Sequence, residues 1–449
     1  MRFSGVLSDS YFNHISIELT EDVDSIFLSF KTKKNKELQF FLWDTNGNLR
    51  FSYIYGRKKK NEFELNDKFK EEYASFKRGI FEKGLWTLGV YLLKSKEHKE
   101  SQTLPAKYRI IFNTRLENSK RKEEKREAYN VEINERWYKG DTHVHTKLSD
   151  GKLNFSKLDN LRKKKDLDFV FVTDHNIFPL GQINQNLFKG MEFTSPKGHF
   201  NILGIKNDIK FEHLFGEIGF CDELCRVVID EAKKEGGFVV LNHPYFREWS
   251  WKYDDKELLK QFDFIEVISD PTYVGAKGYN EKAIKKLDEL WDLGIKIWGL
   301  GGSDFHSSSK DDKKSYKKEG LANPTTWVMS TDNSQKSILE GMKSGKVIVS
   351  LQGDLKISFR QNGRDIYPGQ NIDMTLIEVE VTYPKAWGDL TVFSKNNSKT
   401  EFLLTVKNGR QKFFLEAKLF EKWFRLEFRD NQDNIVIFVN PFVIYDNKE

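Results

Sequence analysis

Short segments of alternating hydrophobic and polar residues dominate the first 115 residues of the chain. We find them at 15–19, 25–30, 38–43, 49–54, 84–93 and 108–113, and such alternation is typical of half-buried β-strands. The sequence Asn46-Gly47-Asn48 separates two of these segments and predicts the turn of a hairpin. We therefore predict an antiparallel β-sandwich over residues 1–115.

The pattern changes at about residue 135, where apolar segments begin to alternate with helical ones. Apolar residues with helical spacing occur at 155–165, 222–234, 281–292 and 335–343, with about eight apolar strand candidates around them. Strands that alternate with helices are typical of parallel α/β folds. We therefore predict a barrel of parallel strands over residues 135–350.

Two further regions flank the predicted barrel. Residues 116–134 are rich in charge and helical in pattern, so we predict a helical linker there. Strand-like alternation returns beyond residue 350, at 355–359, 377–382, 390–394, 411–415, 423–428 and 435–439. This alternation predicts a small C-terminal β domain over residues 351–449.

The composition supports several packed cores and excludes some classes of protein. Of the 449 residues, 38% are hydrophobic and 14% are aromatic, which argues against a disordered chain. The net charge is +6, and the lysine-rich segments are scattered along the chain. Such segments are more typical of solvated protein surfaces than of a groove that binds nucleic acid. Two cysteines, Cys221 and Cys225, are too few for a disulfide framework.

Targeting signals and membrane spans are not evident in the sequence. The N-terminus has no basic segment followed by an apolar one, as a secretory signal would have. No apolar run approaches the roughly 18 residues that a membrane-spanning helix needs. We therefore predict a cytoplasmic protein that does not enter the membrane.

Six of the nine histidines lie at the ends of predicted strands in the middle of the chain. They occur in Asp-Thr-His-Val-His (141–145), Thr-Asp-His-Asn (173–176), Gly-His-Phe-Asn (198–201), Asn-His-Pro (242–244) and Ser-Asp-Phe-His (303–306). In a barrel of parallel strands, the carboxyl ends of the strands all open onto one face. We therefore expect these segments to meet in one cup.

The spacing within these segments suits metal binding. His143 and His145 are two residues apart, so both side chains point to the same side of a strand and can bind one ion. Asp304 and His306 repeat this spacing at another strand end. Burying so many ionisable side chains without partners would cost several kcal/mol each, a cost that bound cations offset.

Further carboxylates lie in the same set of turns. Asp150 follows the first histidine pair, and Glu192 can bridge two ions. We expect Asp174, which precedes His175, to orient a ligand rather than to bind metal itself. The remaining histidines lie outside the pattern and are predicted to be structural: His14, His98 and His213.

Together, these segments resemble the PHP superfamily, which is named for a domain shared by certain DNA polymerases and histidinol phosphatases. The resemblance covers residues 138–350. Four segments look like the four motifs of this family, in order: Asp-Thr-His-Val-His with the following Ser-Asp-Gly, Thr-Asp-His-Asn, Asn-His-Pro and Gly-Ser-Asp-Phe-His. The segment 190–204 is similar to the branch that includes carbaryl-hydrolase-like enzymes.

The resemblance implies a distorted (β/α)7 TIM-like barrel with up to three divalent ions. The first ion would be held by His143, His145, Glu192 and Asp304. Glu192 would bridge to a second ion, held also by His199 and His243, and a third would be held by Asp150, His175 and His306. Histidine and carboxylate ligands without thiolate fit zinc, manganese or iron.

The function implied is hydrolysis of a phosphoester in a phosphorylated small molecule, with Glu192, Asp304 and His306 in catalytic roles. Arg247 follows the Asn-His-Pro segment and is a candidate phosphate contact, although packing under a neighbouring loop explains it equally well. Two alternatives stay open. The same centre could cleave a carbamate, ester or amide, or the domain could serve as a non-catalytic binding or scaffold protein.

Overall fold

The computed structural model describes residues 1–449 except 9–10, 33–36, 56–59, 70–72, 93–104, 117–132, 210, 212–218, 307–319, 352–354, 385–386, 397–398, 408 and 445–449. Within the described residues the chain forms 27 β-strands and four α-helices, so the protein is mostly β. Short 3-10 helices occur at Arg247–Trp249, Lys256–Gln261 and Ala417–Leu419. None of the helices described is long and apolar enough to cross a membrane.

The N-terminal region consists of two antiparallel sheets. Its strands are β1 (Arg2–Leu7), β2 (Phe12–Leu19), β3 (Ser25–Thr32), β4 (Leu38–Trp43), β5 (Leu49–Tyr55), β6 (Glu62–Leu65), β7 (Ser75–Phe76), β8 (Gly84–Tyr91) and β9 (Ala106–Arg115). The strand orders are β1-β9-β3-β6 and β2-β8-β4-β5-β7. Buried side chains of both sheets, among them Phe30, Phe40 and Trp86, form one core. This arrangement agrees with the antiparallel sheets that the alternation predicts.

The middle region carries the helices. Its strands are β10 (Ile133–Val144), β11 (Phe169–Val172), β12 (Leu187–Ser195), β13 (Gly198–Leu203), β14 (Phe238–Leu241), β15 (Phe264–Ser269), β16 (Trp298–Gly302), β17 (Thr325–Asp332) and β18 (Val347–Ser350). The helices are α1 (Phe155–Lys164), α2 (Asp222–Lys234), α3 (Ala276–Asp292) and α4 (Gln335–Lys343). The N-termini of α1 and α4 are capped by the side chains of Asn154 and Ser334.

The strand directions correct the prediction of an all-parallel barrel. Strands β10, β11 and β12 pair in parallel, as do β14, β15 and β16. However, β13 is antiparallel to both of its neighbours, and β17 is antiparallel to β10. Only Pro196 and Lys197 connect β12 to β13, and a parallel connection needs a crossover of a dozen or more residues. The described residues thus form a mixed sheet, and a closed TIM-like barrel is not shown.

The same sheet continues into the C-terminal region, in the order β18-β27-β26-β23-β24, so it crosses residue 350. The C-terminal strands are β19 (Lys356–Gln361), β20 (Arg364–Ile366), β21 (Asn371–Ile372), β22 (Leu376–Tyr383), β23 (Leu390–Asn396), β24 (Lys399–Val406), β25 (Gly409–Glu416), β26 (Trp423–Arg429) and β27 (Ile435–Ile444). A second sheet, β20-β19-β22-β25, shares a core with it. The predicted domain limits stay predictions, and the predicted helical linker lies mostly outside the described residues.

A buried ion-pair network joins the C-terminal strands to the middle region. Arg425 on β26 has no exposed side-chain surface, and its guanidinium donates to both carboxylate oxygens of Asp288 on α3, at 2.6 and 2.8 Å. The same guanidinium donates to Glu427 at 3.0 Å. Beside it, Arg429 pairs with Glu281 of α3 at 2.8 Å. Because the charges of Arg425, Asp288 and Glu427 are buried and mutually paired, the two regions depend on each other's side chains.

Candidate metal centre

The histidine-bearing segments lie at one edge of the mixed sheet. His143 is at the end of β10, His175 follows β11, His243 follows β14, and Asp304 follows β16. His199 is at the start of β13. Because β13 runs antiparallel to its neighbours, its beginning lies at the edge where the parallel strands end. The direction of β13 that contradicts the predicted barrel is therefore what brings His199 to the other histidines.

The inner group consists of His143, His145 and Asp304. The two Nε2 atoms lie 3.1 Å apart, and Asp304 Oδ1 is 3.3 Å from His143 Nε2 and 3.0 Å from His145 Nε2. Around a tetrahedral ion with bonds of 2.0–2.1 Å, neighbouring ligand atoms lie roughly 3.3 Å apart. The three side chains are thus spaced as ligands of a single cation would be.

Glu192 connects this group to the others. Its Oε1 lies 3.3 Å from His143 Nε2, 3.2 Å from His199 Nδ1 and 3.5 Å from His243 Nε2. Its Oε2 faces His175 Nδ1 and lies 3.9 Å from His145 Nε2. The side chain has no exposed surface. Glu192 therefore belongs to two candidate groups, one with His143 and His243 and one with His175 and His199.

The outer group consists of His145, Asp150, His175 and His306. Asp150 Oδ1 lies 3.3 Å from His306 Nε2, and Asp150 Oδ2 lies 3.4 Å from His175 Nε2. His306 Nδ1 is 2.6 Å from the backbone oxygen of Asp304, so Nδ1 donates there and Nε2 faces the group. The Asp150 and His306 side chains are 27% and 34% exposed, so this group forms the open side of the centre.

The electrostatics of these side chains fit cations. Burial by itself raises the pKa of Glu192, but the surrounding histidines outweigh burial and hold that pKa well below its usual value. Burial lowers the pKa of His143, but Glu266 and Asp304 outweigh it and raise the pKa well above the usual value. The centre thus places the ionised carboxylate of Glu192 beside the imidazole of His143, which retains a proton that a cation can replace.

A buried nitrogen without a well-formed hydrogen bond points to the same conclusion. Nδ1 of His199 is buried and lies 3.2 Å from Glu192 Oε1, yet no group in the described chain makes a well-formed hydrogen bond with it. A buried polar atom without a hydrogen-bond partner is costly. An ion between this nitrogen and the carboxylate would satisfy both atoms. The donor set and its geometry therefore fit divalent metal ions.

The other residues singled out in the sequence lie outside these groups. Asp174 is buried and accepts hydrogen bonds from the hydroxyl groups of Thr146 and Ser149, at 2.6 Å each, so it shapes the loop that carries Asp150. Arg247 is exposed, and its Nε donates to the Tyr279 hydroxyl at 3.1 Å. Its contact with phosphate stays a prediction. His14 lies on β2, where its Nε2 is 2.5 Å from the Tyr91 hydroxyl. His98 and His213 are outside the described residues.

Sequence reasoning missed Glu266, the single acidic residue in the apolar strand β15. Its Oε1 accepts a hydrogen bond from His143 Nδ1 at 2.7 Å, and its Oε2 accepts one from the backbone N–H of His243 at 2.9 Å. A Cβ atom on Gly302 would lie 2.2 Å from Glu266 Oε1, so only glycine leaves room for this carboxylate. A lone carboxylate in an otherwise apolar buried strand is the signal that could have identified it.

Glu266 is expected to orient His143, and the substitution Glu266→Gln tests this role. With Nδ1 of His143 donating to Glu266, the lone pair of Nε2 points at the centre. Glutamine offers one acceptor oxygen in place of two, so one of the two donors loses its partner. We expect the affinity for the inner ions to fall by about 10–100-fold. Chelator-competition titrations measure it, and an unchanged affinity would show that the carboxylate does not orient the ligand.

The outer group is expected to bind its ion more tightly as the pH rises. Burial lowers the pKa of His306, but Asp150 and Asp304 outweigh burial and raise that pKa to about 9. Ligation requires neutral imidazole, so at pH 7 a proton competes with the ion, and affinity should rise by up to about tenfold per pH unit. Calorimetric titrations at pH 7 in buffers of different ionisation enthalpy should detect the released proton. Binding without proton release would contradict the prediction.

Comparison with known proteins gives structural likenesses only. No protein-family model matches the chain, and no curated protein matches it in sequence. A two-domain protein from Bacteroides vulgatus, which contains a predicted PHP-like metal-dependent phosphoesterase, is 18% identical with a TM-score of 0.39, over 71% of this chain and all of that chain.

Two shorter structures are also similar. A provisionally assigned metal-dependent phosphoesterase from Bifidobacterium adolescentis is 16% identical with a TM-score of 0.28, over 40% of this chain and 90% of that chain. An amidohydrolase from Chromobacterium violaceum with bound sulfate is 16% identical with a TM-score of 0.24, over 38% and 88%. These similarities are weak, so the assignment of function rests on the side chains of this chain, and the carbaryl-hydrolase-like branch stays a prediction.

Proposed function

We propose that this chain is a metal-dependent hydrolase that cleaves a phosphoester in a phosphorylated small molecule. The observation that carries the proposal is the position of Glu192, fully buried and faced by five histidines from four separate segments. Two to three divalent ions would be held by the side chains of the overlapping candidate groups: His143, His145, Asp150, His175, Glu192, His199, His243, Asp304 and His306. Zinc, manganese and iron fit these ligands.

The proposal includes a distorted PHP-type barrel built from β10 to β17. A parallel bridge between Val144 and Phe305 supports it, because this bridge joins the end of β10 to the chain that follows β16. The backbone N–H of His145 also donates to the oxygen of Phe305 at 3.0 Å. These contacts bring the first and last histidine-bearing segments side by side.

The proposed hydrolysis takes place at the side of the centre that is open to solvent. When bound, divalent ions lower the pKa of a water molecule and neutralise phosphoryl oxygens. Asp304 and His306 line a cavity of 110 Å³ together with Asp270, Gly320 and Asn323. Neighbouring histidines, His143 first, outweigh burial and hold the pKa of Asp304 well below its usual value. Asp304 therefore stays ionised and can bind an ion and accept a hydrogen bond from the attacking water, while His306 holds Asp150 in place at 3.3 Å.

Metal analysis and a phosphodiester assay test the proposal. Protein purified without chelator is expected to contain two or three equivalents of metal and to hydrolyse bis-p-nitrophenyl phosphate. Removal of the metal should abolish turnover, and reloading with zinc, manganese or iron should restore it. Metal binding without phosphoester turnover, but with turnover of aryl carbamates, esters or amides, would move the assignment to that bond. Absence of metal after reloading would overturn the proposal in favour of a scaffold.

A further inference from the structure

The N-terminal sandwich packs directly against the loop that follows His175. Gln39 on β4 donates from Nε2 to the backbone oxygen of Asn176 at 2.8 Å. Ser75 on β7 donates from Oγ to the oxygen of Phe178 and accepts the N–H of Leu180, each at 2.7 Å. Gln39 is 2% exposed and Ser75 is completely buried. The sandwich thus holds residues 176–180 by three hydrogen bonds, two of which are buried, where such bonds are strongest.

A second contact reaches the loop between His145 and Asp150. The Lys147 ammonium donates to the Tyr73 hydroxyl at 3.0 Å and lies 4.6 Å from the centre of its ring. Apolar side chains of the sandwich, including Phe41 and Tyr91, belong to the same core as Phe178. The sandwich therefore contacts two of the three loops that carry the outer group, the one with His145 and Asp150 and the one with His175.

The loop that follows His175 is also attached, on its other side, to β12, the strand that carries Glu192. The backbone N–H of Asn176 donates to the oxygen of Glu192 at 2.8 Å. Its side chain exchanges two hydrogen bonds of 2.9 Å with the backbone of Thr194. Asn176 has a φ of 48°, in the left-handed region, a conformation that persists where the surroundings hold it. The sandwich and β12 hold this residue from two sides, so the position of His175 depends on both.

We propose that the N-terminal sandwich positions the ligands of the outer group, and that Gln39 and Ser75 are the positioning residues. The inference rests on the proposed function. His143 and the backbone of His243 are held instead by Glu266, on β15. Loss of the sandwich contacts should therefore loosen His175 and weaken the outer ion, while the inner ions stay bound.

The test uses the full-length protein with Gln39→Ala, Ser75→Ala and the control Ser52→Ala. Ser52 is the matched control because it is a buried serine that accepts from the same Gln39 Nε2, at 3.2 Å, within the sandwich. Metal-free protein is titrated with Co²⁺ and followed by its visible spectrum, with thermal unfolding measured alongside. We expect one Co²⁺ equivalent, that of the outer position, to lose about tenfold or more in affinity in the first two variants, with unchanged spectra for the other equivalents. Ser52→Ala should match the wild type.

The outcomes separate this inference from the proposed function. Selective weakening of one equivalent in Gln39→Ala and Ser75→Ala supports the positioning role. Unchanged titrations in both variants, or a parallel loss of every equivalent together with thermal stability, overturn it while leaving the metal centre of the wild type established. A wild-type protein that binds no Co²⁺ overturns the proposed function itself, and this inference with it.

Discussion

Glu192→Gln is expected to lower kcat/KM for phosphoester hydrolysis by at least about 10³-fold, because several kcal/mol of transition-state stabilisation depends on the ions that this carboxylate helps to hold. Both of its oxygens face histidine nitrogens, and the side chain is fully buried. Glutamine has nearly the same shape but no charge, so the change removes a ligand without creating a cavity. Steady-state kinetics and metal analysis of the purified variant measure the effect.

The same carboxylate-to-amide change at Asp263 provides the control. Asp263 Oδ2 accepts the backbone N–H of Val239 at 2.9 Å, near the start of β14 and thus at the opposite end of this strand from His243. Asp263→Asn is expected to keep wild-type kinetics and metal content. Full metal content and wild-type turnover in Glu192→Gln would exclude this carboxylate from the centre.

Arg425→Ala is expected to lower the free energy of unfolding by about 3–5 kcal/mol, because removing one partner leaves buried carboxylates without a counter-charge. The guanidinium has no exposed surface and holds Asp288 through two hydrogen bonds and Glu427 through a third. These bonds connect β26 to α3, so their loss should loosen the C-terminal strands from the middle region. Chemical denaturation of the metal-free protein measures the loss.

An exposed ion pair between an arginine and an aspartate serves as the comparison. Arg360 and Asp365 form an ion pair at 2.8 Å with side chains that are 55% and 56% exposed. Arg360→Ala is expected to leave the free energy of unfolding close to the wild-type value, because water screens such pairs. Equal effects of the two substitutions would mean that the buried network adds nothing beyond an ordinary surface pair.

The sequence predicted most elements where the structure has them. The pattern at 222–234 matches α2 (Asp222–Lys234), and the pattern at 335–343 matches α4 (Gln335–Lys343). Both helices depend on local signals: an apolar stripe and a cap, such as the Cys221 sulfur that accepts the N–H of Leu224 at 3.4 Å. Strand positions followed in the same way from alternation over a few residues.

The sequence also predicted part of the chemistry of the candidate site. Histidines and carboxylates at strand ends identified nine candidate ligands, and the structure brings all nine into overlapping groups. The pair His143 and His145 needs only the local geometry of a strand. Their convergence with Glu192 was inferred from a parallel barrel, yet His199 reaches the centre because β13 runs antiparallel. The structure thus brings the predicted residues together, but the direction of β13 that brings His199 to them differs from the predicted one.

By itself the sequence thus determined local properties: which segments become helices or strands, and which side chains stand at strand ends. Only the tertiary structure decided the direction of β13, the continuation of the sheet past residue 350, and the partners of Glu266 and Gln39. Glu266 meets His143 across 123 residues of sequence, and Gln39 meets Asn176 across 137. Such contacts depend on how whole sheets pair and pack, which no short window of sequence encodes.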